Sequence, residues 1–172
     1  MKPKILKTYR QSVPATRFIG IQYGDEDRVD GTFGARWGEW FESGRFQQLE
    51  EACPKADFED AGAYIGLMRE KHSDVAREPF QYWIGMFFPE GTEVPEGFGH
   101  VDFPTCELGV AWLYGKESAL YGHEALALAA MEKSGMRLDP ELCCWCFERY
   151  ACPRFTEPDK KGKVILDICF IY

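Results

Sequence analysis

The pattern of apolar and polar positions divides the chain into two runs of elements with the same order. Residues 14–23 alternate between two faces, as a strand does, and the aromatic residues of 33–51 recur near helical spacing. A Pro/Gly/Glu-rich linker at 89–97 separates the runs. The predicted strands are 14–23, 61–68, 80–88, 98–114 (bent near Pro104), 141–150 and 163–172, and the predicted helices are 33–51 and 123–134. The element order is therefore βαββ, linker, βαββ.

This order predicts an α+β fold in which antiparallel sheets each carry one main helix on one face. Residues 1–172 form one domain, with a first repeat at about 10–90 and a second at about 97–172. The halves share element order rather than sequence. A seam between two such units is a common place for a small-molecule site, so we expect a groove there.

Composition and charge narrow the function classes. The chain has 172 residues, 15% of them aromatic, and a formal net charge of −8. This acidity disfavours direct binding to nucleic acid and favours cationic ligands. No apolar run is long enough for a membrane span, and the basic first ten residues lack the apolar core of a signal peptide. Seven cysteines, an odd number, predict reduced thiols and a cytoplasmic protein.

One carboxylate, Glu148, stands inside the apolar and aromatic run at 142–150. A buried charge is costly unless something pairs with it. Strand alternation directs the neighbouring Arg149 to the other face, so Arg149 is a poor partner. Glu148 then pairs with a distant cation, reaches solvent, or serves a ligand. In the last case it holds an aromatic cation or acts as a general base on water. The residues predicted to share its face are Cys144, Cys146 and Tyr150.

Five segments together resemble the GyrI-like effector-binding domains, which occur as drug-sensing modules of AraC- and MerR-type regulators and as stand-alone proteins. The resemblance spans nearly the whole chain, in the family's order. Its segments are PATRFIG at 14–20, YWIGM at 82–86, PEGF at 95–98, FERY at 147–150 and LDICFI at 166–171.

The resemblance implies two βαββ repeats about a pseudo-two-fold axis, with amphipathic and often cationic aromatic compounds bound in a central groove. It assigns the ligand's counter-charge to Glu148, in the family's Phe-Glu-x-Tyr motif. Two features depart from the family. No DNA-binding segment is expected before residue 14, and Cys169 stands where many members carry a tyrosine.

Aromatic side chains are available as walls for such a groove, because ring faces attract cations. Tyr82 and Trp112 are favoured, since they lie on strands near the seam; each Trp could equally be core. Trp37 is assigned instead to packing of the helix on the sheet. The predicted ligand-binding residues are Glu148, Tyr82, Trp112, Trp83, Trp40, Tyr150 and Cys169.

The sequence supports a stand-alone binding module for cationic aromatic compounds and leaves two alternatives open. Some relatives hydrolyse strained electrophiles, in which case Glu148 is catalytic and Tyr82 or Trp112 positions the substrate. Others inhibit DNA gyrase through protein contact. No cofactor or metal is predicted, because Cys143 and Cys146 point to opposite faces of their strand and the histidines are scattered. A homodimer or a protein partner remains open.

Overall fold

The described part of the computed structural model covers residues 2–69, 79–137 and 145–171. It contains eight strands, four α-helices and two single-turn 3-10 helices, Asp25–Asp27 and Glu117–Ala119. The strands are β1 (Lys4–Val13), β2 (Thr16–Tyr23), β3 (Tyr64–Arg69), β4 (Gln81–Pro89), β5 (Gly99–Phe103), β6 (Cys106–Gly115), β7 (Trp145–Tyr150) and β8 (Val164–Ile171). The helices are α1 (Gly34–Glu42), α2 (Arg45–Ala52), α3 (Glu124–Lys133) and the single turn α4 (Pro153–Thr156).

The predicted α+β class is confirmed, with three corrections to the elements. The basic segment at the start of the chain forms β1, which the sequence pattern did not predict. The predicted helix at 33–51 is two helices, because Gly44 adopts a left-handed conformation between them, with φ +67°. The predicted strand at 98–114 is two strands separated at Pro104. The first residues of the predicted strand at 141–150, with Cys143 and Cys144, lie outside the described residues.

All eight strands belong to one antiparallel sheet, where separate sheets were expected. Its order is β1-β6-β8-β7-β3-β4-β2-β5. Each strand of the first half has a counterpart in the second: β1 and β5, β2 and β6, β3 and β7, and β4 and β8. When counterparts are exchanged, the strand order reads the same from the opposite edge of the sheet, as a repeat of elements requires. The pseudo-two-fold axis stays a prediction. The outer strands are exchanged between halves, since β1 pairs with β6 and β5 pairs with β2. The seam is the central pair, β3 and β7.

The sheet has two apolar faces. The helical face carries α1, α2 and α3 over a core that includes Trp40, Leu49 and Met131. The opposite face has a second core around Phe18, Phe87 and Phe147. One line of register pairs crosses all eight strands on this opposite face: Lys7, Trp112, Asp167, Arg149, Ile65, Gly85, Gly20 and Gly99. The line is charged in one half and ends in three glycines in the other.

Candidate ligand site around Glu148

Glu148 lies at the centre of the sheet, on the seam between the halves. Its strand, β7, pairs with Gly66 of β3 on one side and Ile168 of β8 on the other at this position. Cys146 and Tyr150, two residues away in each direction, belong to the core of the helical face. The predicted alternation is therefore confirmed, and the Glu148 side chain faces the helices while remaining only 5% exposed.

The Glu148 carboxylate has an unusual set of partners. The Tyr150 hydroxyl donates a hydrogen bond to Glu148 Oε2. Within the residues that the structure describes, no Lys or Arg forms an ion pair with it. Burial raises the pKa of Glu148 to about 7; the Tyr150 hydrogen bond opposes this rise, and the charge of Glu124 adds to it. The site therefore holds a carboxyl group that changes charge near neutral pH.

A missing side chain makes room for Tyr82 close to this carboxylate. Gly66 lies directly across from Glu148, and a Cβ atom there would be 2.8 Å from the Tyr82 hydroxyl oxygen. That hydroxyl accepts a hydrogen bond from Trp37 Nε1 at 2.8 Å. Burial and the nearby Glu148 charge both raise the pKa of Tyr82, so its hydroxyl stays neutral.

Aromatic rings form a continuous wall around the two hydroxyl groups. Phe33 stacks on Tyr82 with ring centroids 4.0 Å apart and an interplanar angle of 3°. Trp37 meets Tyr150 edge to face at 4.8 Å, and Tyr150 meets Phe155 at 5.1 Å. Trp37, Tyr150 and Phe155 are partly exposed, so the wall extends from the carboxylate toward the surface.

Sequence reasoning missed several of these residues. Trp37 was assigned to packing alone, and Phe33, Phe155 and Gly66 were not considered for the site. The four-residue spacing of Phe33 and Trp37 could have indicated that both rings point toward the sheet. No local signal marks Phe155 or Gly66, because their roles depend on strand register and on a turn beyond β7.

The predicted site residues divide between the two faces of the sheet. Tyr82 and Tyr150 adjoin Glu148. Trp40 is on the same face but is fully buried, and its Nε1 donates to the Tyr23 hydroxyl at 2.9 Å. The expectation that the remaining three share a pocket with Glu148 is wrong, because strand alternation places them on the opposite face: Trp83, Trp112 and Cys169.

The three misplaced residues have other surroundings. Trp83 meets Phe18 edge to face at 6.2 Å. Trp112 lies between cations, with Lys7 Nζ 3.6 Å and Arg154 Cζ 5.2 Å from its ring centroid. Cys169 is fully buried, and burial raises the pKa of its thiol to about 12. Each of these environments lies on the face of the sheet opposite to Glu148.

Arg149, adjacent to Glu148 in sequence, is fully partnered on the opposite face. Its Nη2 lies 2.7 Å from Asp167 Oδ2, and its Nη1 donates to Gln11 Oε1 at 2.8 Å. Arg154 bonds the same Asp167 and also Asp60, whose carboxylate it meets at 2.6 Å. The prediction that Arg149 points away from Glu148 is confirmed.

Open volume does not by itself identify a site. A cavity lined by Phe147, Arg149 and Phe87 on the opposite face measures about 10 Å³, close to the minimum for one water molecule. Around Glu148 the rings are in contact, so a ligand would have to displace them to reach the carboxylate. Among the described residues, no three His, Cys, Asp or Glu side chains are grouped as metal ligands. The helices of the described ranges are too short or too polar to span a bilayer.

Comparison with known proteins identifies the fold. No protein-family model and no curated protein matches the chain. The fold is similar to that of SAV2435 in a structure bound to tetraphenylphosphonium, with a TM-score of 0.66 and 12% identity over 96% of this chain and 93% of that chain.

Two further solved structures are similar over nearly their full length. A putative bacterial transcription regulation protein from Staphylococcus aureus MU50 has a TM-score of 0.61 and 12% identity over 96% of this chain and 97% of that chain. A hydrolase from Listeria innocua has a TM-score of 0.54 and 13% identity over 96% and 92%. At these identities the likeness shows the fold alone.

Proposed function

We propose that this protein binds small, amphipathic aromatic cations at Glu148 and serves as a module for binding, sensing or sequestering such compounds. The observation that carries the proposal is the buried Glu148 carboxylate, 5% exposed, which faces aromatic rings. Among the described residues its partner is a tyrosine hydroxyl and not a cation. Its neighbour Arg149 shows that the same strand can pair a buried charge completely.

A cationic ligand would supply the positive charge that the described part of the chain does not place beside Glu148. Ionising the carboxyl group in this environment is unfavourable, as its raised pKa shows, and a positive charge beside it would offset that cost. The Tyr82, Trp37 and Tyr150 rings would cover the ligand's apolar parts, and each desolvated cation–π contact contributes ~1–2 kcal/mol. Flat rings can pack against ligands of many shapes. The arrangement therefore suits a class of ligands rather than a single compound.

Fold likeness adds support of a weaker kind. SAV2435 has been solved with tetraphenylphosphonium, itself a cation surrounded by aromatic rings. Carrying that ligand class over to this chain is a hypothesis, because the two proteins share 12% identity.

The proposal is tested by titrating the protein with a rhodamine dye and following tryptophan fluorescence. Replacing Glu148 by Gln removes the charge at nearly constant shape, and we expect affinity to fall about 30-fold or more. Glu132→Gln is the matched control, since it removes one exposed charge from α3. Equal affinity in wild type and Glu148→Gln would refute the proposal.

Hydrolysis of strained electrophiles is the second candidate, and the pKa of about 7 at Glu148 favours it. A general acid or base works best when its pKa lies near the working pH. Glu148 would activate water or protonate the substrate, and Tyr82 would position it; Trp112 is excluded from that role by its place on the opposite face. Epoxide loss no faster than with Glu148→Gln would argue against turnover of the compounds tried.

A further inference from the structure

A cation of the protein's own already lies against the aromatic wall. The Arg28 guanidinium carbon is 4.4 Å from the ring centroid of Phe33 and 5.2 Å from that of Phe80. The two phenylalanine rings are nearly parallel, at 25°, with centroids 6.3 Å apart. This is the geometry of a cation–π site with an arginine in it.

The Arg28 position is continuous with the Glu148 site. Tyr82 stacks on one side of Phe33 at 4.0 Å and covers that ring face. Arg28 therefore occupies the other face of the same ring. From the surface inward the order is Arg28, Phe33, Tyr82 and then the Glu148 region, whose charge acts on Tyr82.

Arg28 is held loosely compared with the buried arginines. Its Nε lies 2.9 Å from Asp25 Oδ1, three residues away, and its Nη1 donates to the Gly31 carbonyl at 3.3 Å. The two side chains of this ion pair are 34% and 70% exposed. Exposed pairs of this kind contribute little to stability, so another cation can take the place of Arg28.

We propose that the outer face of Phe33, together with Phe80 and Asp25, is a second cation subsite that Arg28 fills in the unliganded protein. This inference rests on the proposed function and extends it: the whole site takes aromatic bis-cations that pass along the edge of the stacked Phe33 and Tyr82 rings, with one positive charge directed toward Glu148 and the other in place of Arg28. When Arg28 leaves, the Asp25 carboxylate becomes available to the incoming charge. Arg28 is thus a specificity-determining residue that disfavours the second cation.

The test compares two ligands that differ by one positive charge. Benzyltrimethylammonium has one quaternary nitrogen, and p-xylylenebis(trimethylammonium) has two on opposite sides of the same ring. Both are titrated against wild type, Arg28→Gln, Arg28→Lys and Arg28→Gln/Phe33→Leu. We expect Arg28→Gln to raise the affinity ratio of bis-cation to mono-cation by roughly three- to tenfold. Arg28→Lys, which keeps the competing charge, should stay near the wild-type ratio, and adding Phe33→Leu should reverse the gain.

A second readout on the wild-type protein follows Arg28 itself. The Arg28 Nε–H signal in the NMR spectrum reports the ring current of Phe33, and the bis-cation should move it toward the position of an exposed arginine. Neither readout needs Glu148, so both can be repeated in Glu148→Gln.

The outcomes separate the two proposals. A ratio that Arg28→Gln leaves unchanged, or an Arg28 signal that the bis-cation does not move, overturns the second subsite even if Glu148 binds cations. A moving Arg28 signal with mono-cation affinity independent of Glu148 supports the subsite and refutes the proposed function. If the bis-cation does not move the Arg28 signal and mono-cation affinity does not depend on Glu148, both proposals are refuted.

Discussion

Glu148 and Arg149 are adjacent on one strand and both buried, but their side chains have different kinds of partner. On the opposite face, Arg149 is bonded to Asp167, Gln11 and Tyr9, and Arg154 completes the network. On the helical face, Glu148 has the Tyr150 hydroxyl and aromatic rings. One side of β7 thus carries a charge network that is internally complete, and the other carries a charge whose counter-ion the described residues do not supply.

The contrast shows how to distinguish a structural charge from one kept for a ligand. Burial alone does not distinguish them, since Arg149 and Glu148 are 2% and 5% exposed. What differs is the set of partners: oppositely charged groups around Arg149, and a hydroxyl with aromatic rings around Glu148. Substitutions at Arg149, Glu148, Asp60 and Gly66 test this distinction.

Replacing Arg149 by Met should give the largest effect. The substitution removes the Arg149 bond to Gln11 and leaves Asp167 with Arg154 as its remaining cation. Removing one member of a buried ion pair costs about 3–5 kcal/mol. Urea unfolding would measure the loss of free energy of unfolding. Lys133→Met, which removes an exposed cation from α3, is the control. A loss for Arg149→Met below that of the control would show that its network is not structural.

The pH dependence of stability should report Glu148 next. Its folded-state pKa of about 7 lies above the ordinary value of 4.5, so the folded protein holds this proton more tightly than the unfolded chain does. The contribution of this proton to the free energy of unfolding is ~3 kcal/mol. It is fully present below about pH 4.5 and is lost as pH rises through about 7. Glu148→Gln should remove this decline in urea unfolding measured across that range.

Asp60 supplies the control from the opposite face. Burial opposes the change, but the pKa of Asp60 is lowered by a hydrogen bond from Arg154 and by the positive charges of Arg149 and Arg154. Its contribution is therefore present above its ordinary pKa and is lost as pH falls, and Asp60→Asn should flatten only this acid limb. If Glu148→Gln and Asp60→Asn changed the same limb, the two faces would not differ as described.

Ligand affinity should follow the ionisation of Glu148. For a permanent cation, affinity should rise by up to about tenfold per pH unit below pH ~7 and level off above it, because only the ionised carboxylate attracts the ligand. Dye titrations at successive pH values would measure this slope. A slope of the same size in Glu148→Gln would assign the proton to another group.

Replacing Gly66 by Ala should have the smallest effect. The new Cβ would lie 2.8 Å from the Tyr82 hydroxyl, so that side chain must shift and its hydrogen bond with Trp37 must weaken, at a cost of about 1 kcal/mol. In Tyr82→Phe the hydroxyl is absent, and the same glycine substitution should cost less. Equal costs in the two backgrounds would show that Gly66 does not make room for this hydroxyl.

Much of the fold followed from local pattern. The alternation along β7 predicted correctly that Glu148 and Arg149 separate, and Gly135, with φ +87°, follows α3 where the sequence indicated a helix end. The unpredicted strand β1 has four exposed residues among its first seven, so its pattern lacks a clear apolar face. It is a strand because β6 pairs with it, which is a tertiary cause that local pattern does not show.

The site was harder to predict than the fold, for a related reason. Membership of the Glu148 site depends on which face each neighbouring strand presents at the seam. Tyr82 lies on the helical face with Glu148, whereas its neighbour Trp83 points to the other side. Register between β3, β4 and β7 decides this, and register between strands distant in sequence cannot be read from composition.

The exchange of outer strands between the halves has a consequence for how the chain reaches its native state. β1 finds its pairing partner in β6, with Val13 opposite Cys106 and Lys4 opposite Tyr114, so about a hundred residues must be brought together to close one ladder. Contacts this distant in sequence make folding slow, and neither half can complete its strands before the other is made. Folding should therefore be a single cooperative event, and a ligand bound at the β3–β7 seam would slow unfolding of both halves at once.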